Sequence, residues 1–235
     1  MDATPTSRSI AITGASGALG HAVVHEFLAE GARLALIDLD EGRLRQAFPE
    51  LDAPRHALVA ADVTSEAGMA AAAVRIEQAL GRVDVLVHVA GGFEMGEPVH
   101  ATSRAAWDRM MDLNAWSFVA VTKAFVPQML GDGSGKVVAV SARAALRGAA
   151  RMGAYTASKS ALQRLVEALS DEVRGRGINV NSIAPTTLDT PANRQSMPDA
   201  DHSTWVSTAV AARTIAFLAS DAALALHGQH LVVGV

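Results

Sequence analysis

Short apolar runs rich in β-branched residues alternate with helix-like stretches along the whole chain. The runs are Ile10–Thr13, Leu34–Ile37, Ala57–Ala60, Val83–Val89, Val137–Val140, Val180–Ile183 and Leu231–Val233. Several are apolar without a break, as strands buried on both faces of a parallel sheet are. Between them, about 18–30, 40–47, 65–80, 102–130, 155–174 and 207–219 carry helical patterning. Strand–helix alternation predicts an α/β fold, a parallel sheet with helices on both faces. Gly175 and Gly177 end the 155–174 helix before the next strand. There is no repeat, low-complexity tract or linker, so one domain over residues 1–235 is expected.

Composition narrows the function classes. Half of the 235 residues are hydrophobic but only 4% are aromatic, so the core must be mostly aliphatic. A net charge of −4 and the lack of a basic stripe argue against nucleic-acid or anionic-membrane partners. The absence of cysteine excludes disulfides, thiol nucleophiles and thiolate metal sites. The eight histidines form no ligand spacing, and no metal site is expected. Met1–Ser7 is short and polar and lacks the apolar stretch of a signal peptide, and no run reaches membrane-span length. A cytoplasmic location is the expectation.

The segment Ser9-Ile-Ala-Ile-Thr-Gly14-Ala-Ser16-Gly17-Ala18-Leu19-Gly20 leads from the first strand into the first helix. Glycines there let the backbone turn tightly and approach a pyrophosphate, which meets the free N–H groups of the helix N-terminus. Asp38, 18 positions after Gly20, ends the second strand beside Leu39. That is close to the roughly 20-residue offset of a ribose-binding acid. A carboxylate there accepts from ribose hydroxyls and repels a 2′-phosphate. No arginine follows Asp38 directly, so NAD(H) is expected over NADP(H). Asp38 is equally placed to cap the following helix. Asp62-Val63 and Ala90-Gly91-Gly92 follow the third and fourth strands, where ligands bind in open α/β sheets. Asp62 is a candidate acceptor for the adenine amino group.

Tyr155 and Lys159 lie four residues apart at the start of a long helix, on one face. An ammonium beside a phenol favours the phenolate and lowers its pKa, which would suit Tyr155 to proton transfer near neutral pH.

Together, Thr13-Gly14…Gly20, Asp38, Asp62-Val63, Ala90-Gly91, Asn114, Tyr155…Lys159 and Pro185 resemble the short-chain dehydrogenase/reductase family, in family order and over nearly the full chain. The resemblance implies a Rossmann-type, doubly wound, seven-stranded sheet in an α/β/α sandwich, and hydride transfer between a nicotinamide and a carbonyl or alcohol. It implies Tyr155 as acid/base, Lys159 on the nicotinamide ribose, Asn114 holding a water in a proton relay, and Pro185, Thr186, Thr187 and Leu188 over the nicotinamide. It also implies a homodimer or homotetramer built on helices about 102–130 and 155–174. Trp107 and Trp116, on the first of these, are expected in a core or subunit interface.

Two departures stand out. The family usually has a serine thirteen residues before the tyrosine, where this chain has Ala142. Ser141 is adjacent, but neighbours on a strand face opposite ways, so it substitutes only if the strand end is realigned. The glycine turn has Ala18 where many members have glycine. Both departures resemble the dihydropteridine reductase-like branch, as do Val89–Phe93, Ala144–Gly148 and Pro185–Trp205. Reduction of a quinonoid pterin is therefore an alternative, and an NAD-binding protein without catalysis is another. Residues 186–206 read as an irregular substrate loop. Phe93, Met95, Arg143, Arg147, Met152, Leu188 and Met197 are candidates to line the substrate pocket, and the two arginines favour an anionic or polar substrate if they face it. His88, within a strand, is expected to be packed and hydrogen-bonded.

Overall fold

The computed structural model describes residues 7–51 and 55–234. Most of Met1–Ser7 therefore lies outside the described residues. In chain order the regular elements are β1 (Ser9–Thr13), α1 (Ala18–Ala29), β2 (Arg33–Asp38), α2 (Glu41–Ala47), β3 (His56–Ala60), α3 (Glu66–Leu80), β4 (Val85–His88), α4 (Arg104–Met111), α5 (Ser117–Asp132), β5 (Gly135–Val140), α6 (Gly153–Val173), β6 (Ile178–Pro185), β7 (Leu188–Asp189), α7 (Pro191–Ser196), β8 (Val206–Ser207), α8 (Thr208–Leu218) and β9 (His230–Val233). Seven strands form one parallel sheet in the order β3-β2-β1-β4-β5-β6-β9. The order reverses between β1 and β4, the switch point at which open α/β sheets bind ligands.

The apolar strands divide their side chains between two cores, as a period of two requires. Ile10, Ile12, Leu34, Leu36, Val85 and Val87 face α1 and α8 and pack on Val23, Phe27 and Ile215. Ala11, Ala35, Ile37, Leu86, Val137 and Val180 face the other way, toward Met69 and Ile76 of α3, Phe118 and Phe125 of α5, and Leu162 and Val166 of α6. Burying a Val, Leu or Ile side chain contributes about 1.5–3 kcal/mol. A one-residue slip of any central strand would exchange its two faces.

Two expectations change. The helix expected over 102–130 is divided at Asp112–Trp116, a wide π-type turn between α4 and α5. Residues 186–206 contain short regular elements between their turns. β7 pairs with β8 through Leu188↔Val206 and Asp189↔Ser207. Between them, Thr190 caps α7, and Arg194 makes a two-pronged ion pair with Asp189 at 2.6 and 2.8 Å. Trp107 and Trp116 lie outside both cores, 39% and 40% exposed. No described helix is long and apolar enough to cross a membrane, and no group of three described His, Asp or Glu side chains is placed to hold a metal ion.

Candidate active site

The carboxyl ends of β4, β5 and β6 open onto a cavity of about 1000 Å³, with Leu19 of α1 in its wall. At its cofactor side, Gly14 has φ +66°, and a Cβ there would lie 2.8 Å from the Ala90 nitrogen. Only glycine lets the turn after β1 pass the end of β4 this closely. α1 then starts at Ala18 with no side chain capping its first turn, so its N–H groups remain available to an anion.

Asp38 is held at the rim of this turn. Its Oδ2 accepts from the Ser16 N–H at 3.0 Å and the Ser16 hydroxyl at 2.7 Å, and its Oδ1 from the Leu39 N–H at 2.8 Å. It does not cap α2. Asp40 does, accepting from Gly42 and Arg43. Asp62 sits at the end of β3, exposed, with Oδ1 taken by the Thr64 N–H and hydroxyl. The Val63 side chain is packed in the core and does not line the cavity.

Ser141, Tyr155 and Lys159 line the cavity, as do Leu19, Gly91, Gly92 and Pro185–Leu188 of the cofactor set. Phe93, Arg143, Arg147, Met152 and Met197, the candidates for a substrate pocket, line it as well. Met95 does not; it faces a separate hollow beside Thr102 and Arg109. Leu146 and Asn193 also line the cavity and carry no local pattern that marks them in the sequence.

Asn114 stands behind the cavity wall, 1% exposed, on the π-type turn. Its amide Nδ2 donates to the Gly92 carbonyl at 3.0 Å and to Ser158 Oγ at 3.1 Å, and its Oδ1 accepts from the Gly92 N–H at 2.9 Å. A Cβ on Gly91 would lie 2.9 Å from Asn114 Oδ1 and 3.0 Å from Lys159 Nζ. Glycine there keeps both groups within reach of the cleft.

His88 supports this arrangement from below. Thr13 Oγ1 lies 2.9 Å from His88 Nδ1, and Ser117 Oγ lies 3.0 Å from Nε2. Ser117 donates to the Leu113 carbonyl at 2.7 Å, and Thr13 Oγ1 accepts from the Ala90 N–H at 3.3 Å. Each hydroxyl has one proton, so this pattern assigns a neutral imidazole with its hydrogen on Nε2. Burial, aided by the Lys159 charge, pushes the His88 pKa down to about 3.

The charge state of the central pair corrects the expectation. Burial pushes Tyr155 up to about 12 and Lys159 down to about 8. The Lys159 ammonium donates to the Val140 carbonyl at 2.9 Å, and burial alone accounts for the direction of the Tyr155 shift. The Phe93 ring meets the Tyr155 ring edge-on at a centroid separation of 4.9 Å. Tyr155 is thus a neutral phenol, a proton donor, at neutral pH.

Ser141 does not replace the missing serine in this geometry. Its hydroxyl points to the Lys159 carbonyl at 3.4 Å, and no hydrogen bond joins it to Tyr155. Ala142 keeps an extended backbone, φ −154° and ψ 150°, and lines the cavity with a methyl group. The strand end is not realigned.

The residues fit a nicotinamide dinucleotide. The uncapped α1 start suits a pyrophosphate and the pinned Asp38 suits a ribose. Thr186 Oγ1, in the cavity wall, is buried with no hydrogen-bond partner, an orphan that a carboxamide would satisfy.

The short chain dehydrogenase family model matches residues 8–201. The chain is 35% identical to 2-(S)-hydroxypropyl-CoM dehydrogenase 3 of Xanthobacter autotrophicus over 196 residues, 83% of this chain and 76% of that protein. It is 33% identical to the NAD(+)-dependent 2-dehydro-3-deoxy-L-rhamnonate dehydrogenase of a Sphingomonas species, over 78% of this chain and 73% of that one. The crystal structure of gox2181 superposes with a TM-score of 0.90 at 26% identity, covering 97% of this chain and 94% of that one. The model match, the sheet order and the relatives agree: the chain belongs to the short-chain dehydrogenase family and is an oxidoreductase.

Proposed function

We propose that this chain is an NAD(H)-dependent oxidoreductase acting on a small secondary alcohol or its ketone, with Tyr155 as the proton donor and acceptor. The observation that carries the reading is the convergence of Tyr155, Lys159 and Thr186 on one cavity, with Asn114 bonded into its wall. Bound there, a nicotinamide would supply or accept the hydride. The chain supplies the rest. Tyr155, a neutral phenol, gives its proton to the oxygen of a carbonyl that is gaining charge. Lys159, cationic below about pH 8, places a positive charge beside that oxygen. Asn114 holds Gly92 and Ser158 and so sets the spacing between the β4 end and α6. Gly14, Ser16, Gly17, Ala18, Leu19 and Gly20 hold the pyrophosphate, and Asp38 the adenosine ribose. The pinned carboxylate and the name of the Sphingomonas relative support NAD(H) over NADP(H).

Ala142 supports a second reading. With a methyl group where a hydroxyl donor would stand, a substrate that needs little polarisation, such as a quinonoid pterin, is favoured. We also propose a homo-oligomer, for which the exposed Trp107 and Trp116 on the α4–α5 stretch are the support, located in the cytoplasm.

The test is Tyr155→Phe, assayed against secondary alcohols, ketones and quinonoid dihydropterin, with NADH binding followed by fluorescence. Turnover should drop at least about 100-fold, the scale of general acid–base catalysis, while NADH affinity stays within a few-fold. Full activity in the variant would end the assignment.

A further inference from the structure

We propose that the substrate carries an anionic group, a carboxylate or sulfonate on an apolar body, held by Arg143 and Arg147 while its carbinol or carbonyl carbon meets Tyr155. This rests on the reading of the cavity as the oxidoreductase site.

The cavity has a one-signed charge. Its described lining contains three cationic side chains, Arg143, Arg147 and Lys159, and no aspartate or glutamate. The whole chain has net charge −4, so the cavity is positive against the overall balance. Lys159 is committed deep in the wall, to the Val140 carbonyl. Arg143 and Arg147 are not committed. Both are exposed, and neither forms an ion pair or hydrogen bond with a described residue. Most other arginines are engaged: Arg109 binds Glu94, Arg194 binds Asp189, and Arg151 donates to the Gly96 carbonyl. A guanidinium presents a planar fork that matches carboxylate and sulfonate oxygens. Two of them flanking a cleft with low-dielectric walls focus the potential and raise the local concentration of anions.

Position separates this anion site from the cofactor. Both arginines lie on the Arg143–Leu146 turn and its C-terminal edge, directly after Ala142 and on the substrate side of Tyr155. The pyrophosphate site is at the start of α1. Between the arginines, Leu146 is 60% exposed and lines the same cavity, as do Phe93, 61% exposed, and Met197, 40% exposed. Exposed apolar side chains beside unpaired guanidiniums suit a ligand with an apolar middle and an acidic end. The Sphingomonas relative is named for a rhamnonate, a sugar acid, so an acid-bearing substrate has a precedent among similar chains.

The probes are cyclohexanecarboxylate, cyclohexanesulfonate and the neutral cyclohexanecarboxamide. Their binding is measured by calorimetry on the full chain, with and without saturating NAD(+), at low and high salt. The two anions should bind at least tenfold more tightly than the amide, and the preference should shrink from 20 to 500 mM NaCl as the charges are screened. Arg143→Gln/Arg147→Gln should remove the preference and leave NAD(+) affinity within about twofold. Equal binding of amide and anion, no binding of any probe, or a preference that survives in the double variant would overturn the proposal. If the double variant does not fold, the salt series on the unaltered chain decides. Failure to bind NAD(+) at all would instead count against the oxidoreductase reading of the site, because the anion comparison is also made without it.

Discussion

His88 makes the fold sensitive to mild acid, by an amount that follows from its surroundings. The imidazole is 1% exposed and its pKa falls from 6.5 to about 3. The unfolded chain therefore binds a proton between about pH 6.5 and 3 that the folded chain refuses. Fewer protons on the folded state means that stability falls as pH falls through that window, and that nothing is lost above it. At pH 5 the unfolded histidine is almost fully protonated. The loss is about 1.5 pK units at 1.36 kcal/mol each, or about 2 kcal/mol relative to pH 7.5. A proton on Nδ1 would also have no acceptor unless Thr13 turned its own hydrogen away. His88→Asn removes the titration. Its stability at pH 7.5 should be lower by about 1–2 kcal/mol, because one short amide cannot reach both Thr13 and Ser117. Its stability difference between pH 7.5 and 5, however, should be smaller than that of the unaltered chain by about 2 kcal/mol. Urea unfolding at the two pH values measures both terms. The half-buried His230, whose pKa burial lowers, is present in both proteins, so its contribution cancels. Equal pH differences in the two proteins, within about 0.5 kcal/mol, would refute the reasoning.

Asn114→Ala leaves the Gly92 N–H and carbonyl without their side-chain partner. The two groups are only half-buried, so at about 1 kcal/mol each and about 2–4 °C per kcal/mol at this size the melting temperature should drop by about 4–8 °C, with kcat falling more than KM rises; an unchanged melting temperature counts against the bridge. Asp38→Ala should weaken NADH binding about tenfold and NADPH binding far less, and a native preference for NADPH would contradict the ribose assignment. Ala142→Ser restores a donor beside Tyr155 at the cost of one oxygen atom in the wall, so kcat with simple ketones should rise about tenfold; no change would mean that Tyr155 and Lys159 already saturate the need for polarisation.

The sheet was legible because its strands are buried on both faces, which leaves unbroken aliphatic runs that few other structures require. The glycine turn was legible because a tight approach such as Gly14 to Ala90 admits one residue type. The π-type turn was not, because the apolar spacing runs on through Asp112–Trp116. The extra residue is held by bonds to distant elements: Asn114 to Gly92 and Ser158, and Ser117 to His88. The order in 186–206 was hidden for the same reason, since its ladder joins Leu188 to Val206 and nothing within either dipeptide announces a strand. His88 was legible as a packed, bonded histidine, but its partners on β1 and α5 were not. The four-residue step from Tyr155 to Lys159 placed both on one face, yet the ammonium turns to the Val140 carbonyl, a partner that only the β5–α6 packing supplies.

These features point to a division of labour in the cavity. Burial holds the Tyr155 phenol near pKa 12, so at neutral pH it carries its proton and is a weaker acid than an ordinary tyrosine. The lining residues beside it offer little further polarisation, because Ala142 has no hydroxyl and Ser141 is turned toward α6. Beyond Lys159 in the wall, further positive charge stands at the edge of the cavity, on Arg143 and Arg147. Binding energy from an acidic end of the substrate can hold the reacting carbon against Tyr155 without touching the carbonyl, and remote binding spent on orientation raises kcat as well as affinity. On this view the cavity compensates for a weak oxyanion site by gripping its substrate elsewhere, and the two arginines and Ala142 are parts of one arrangement.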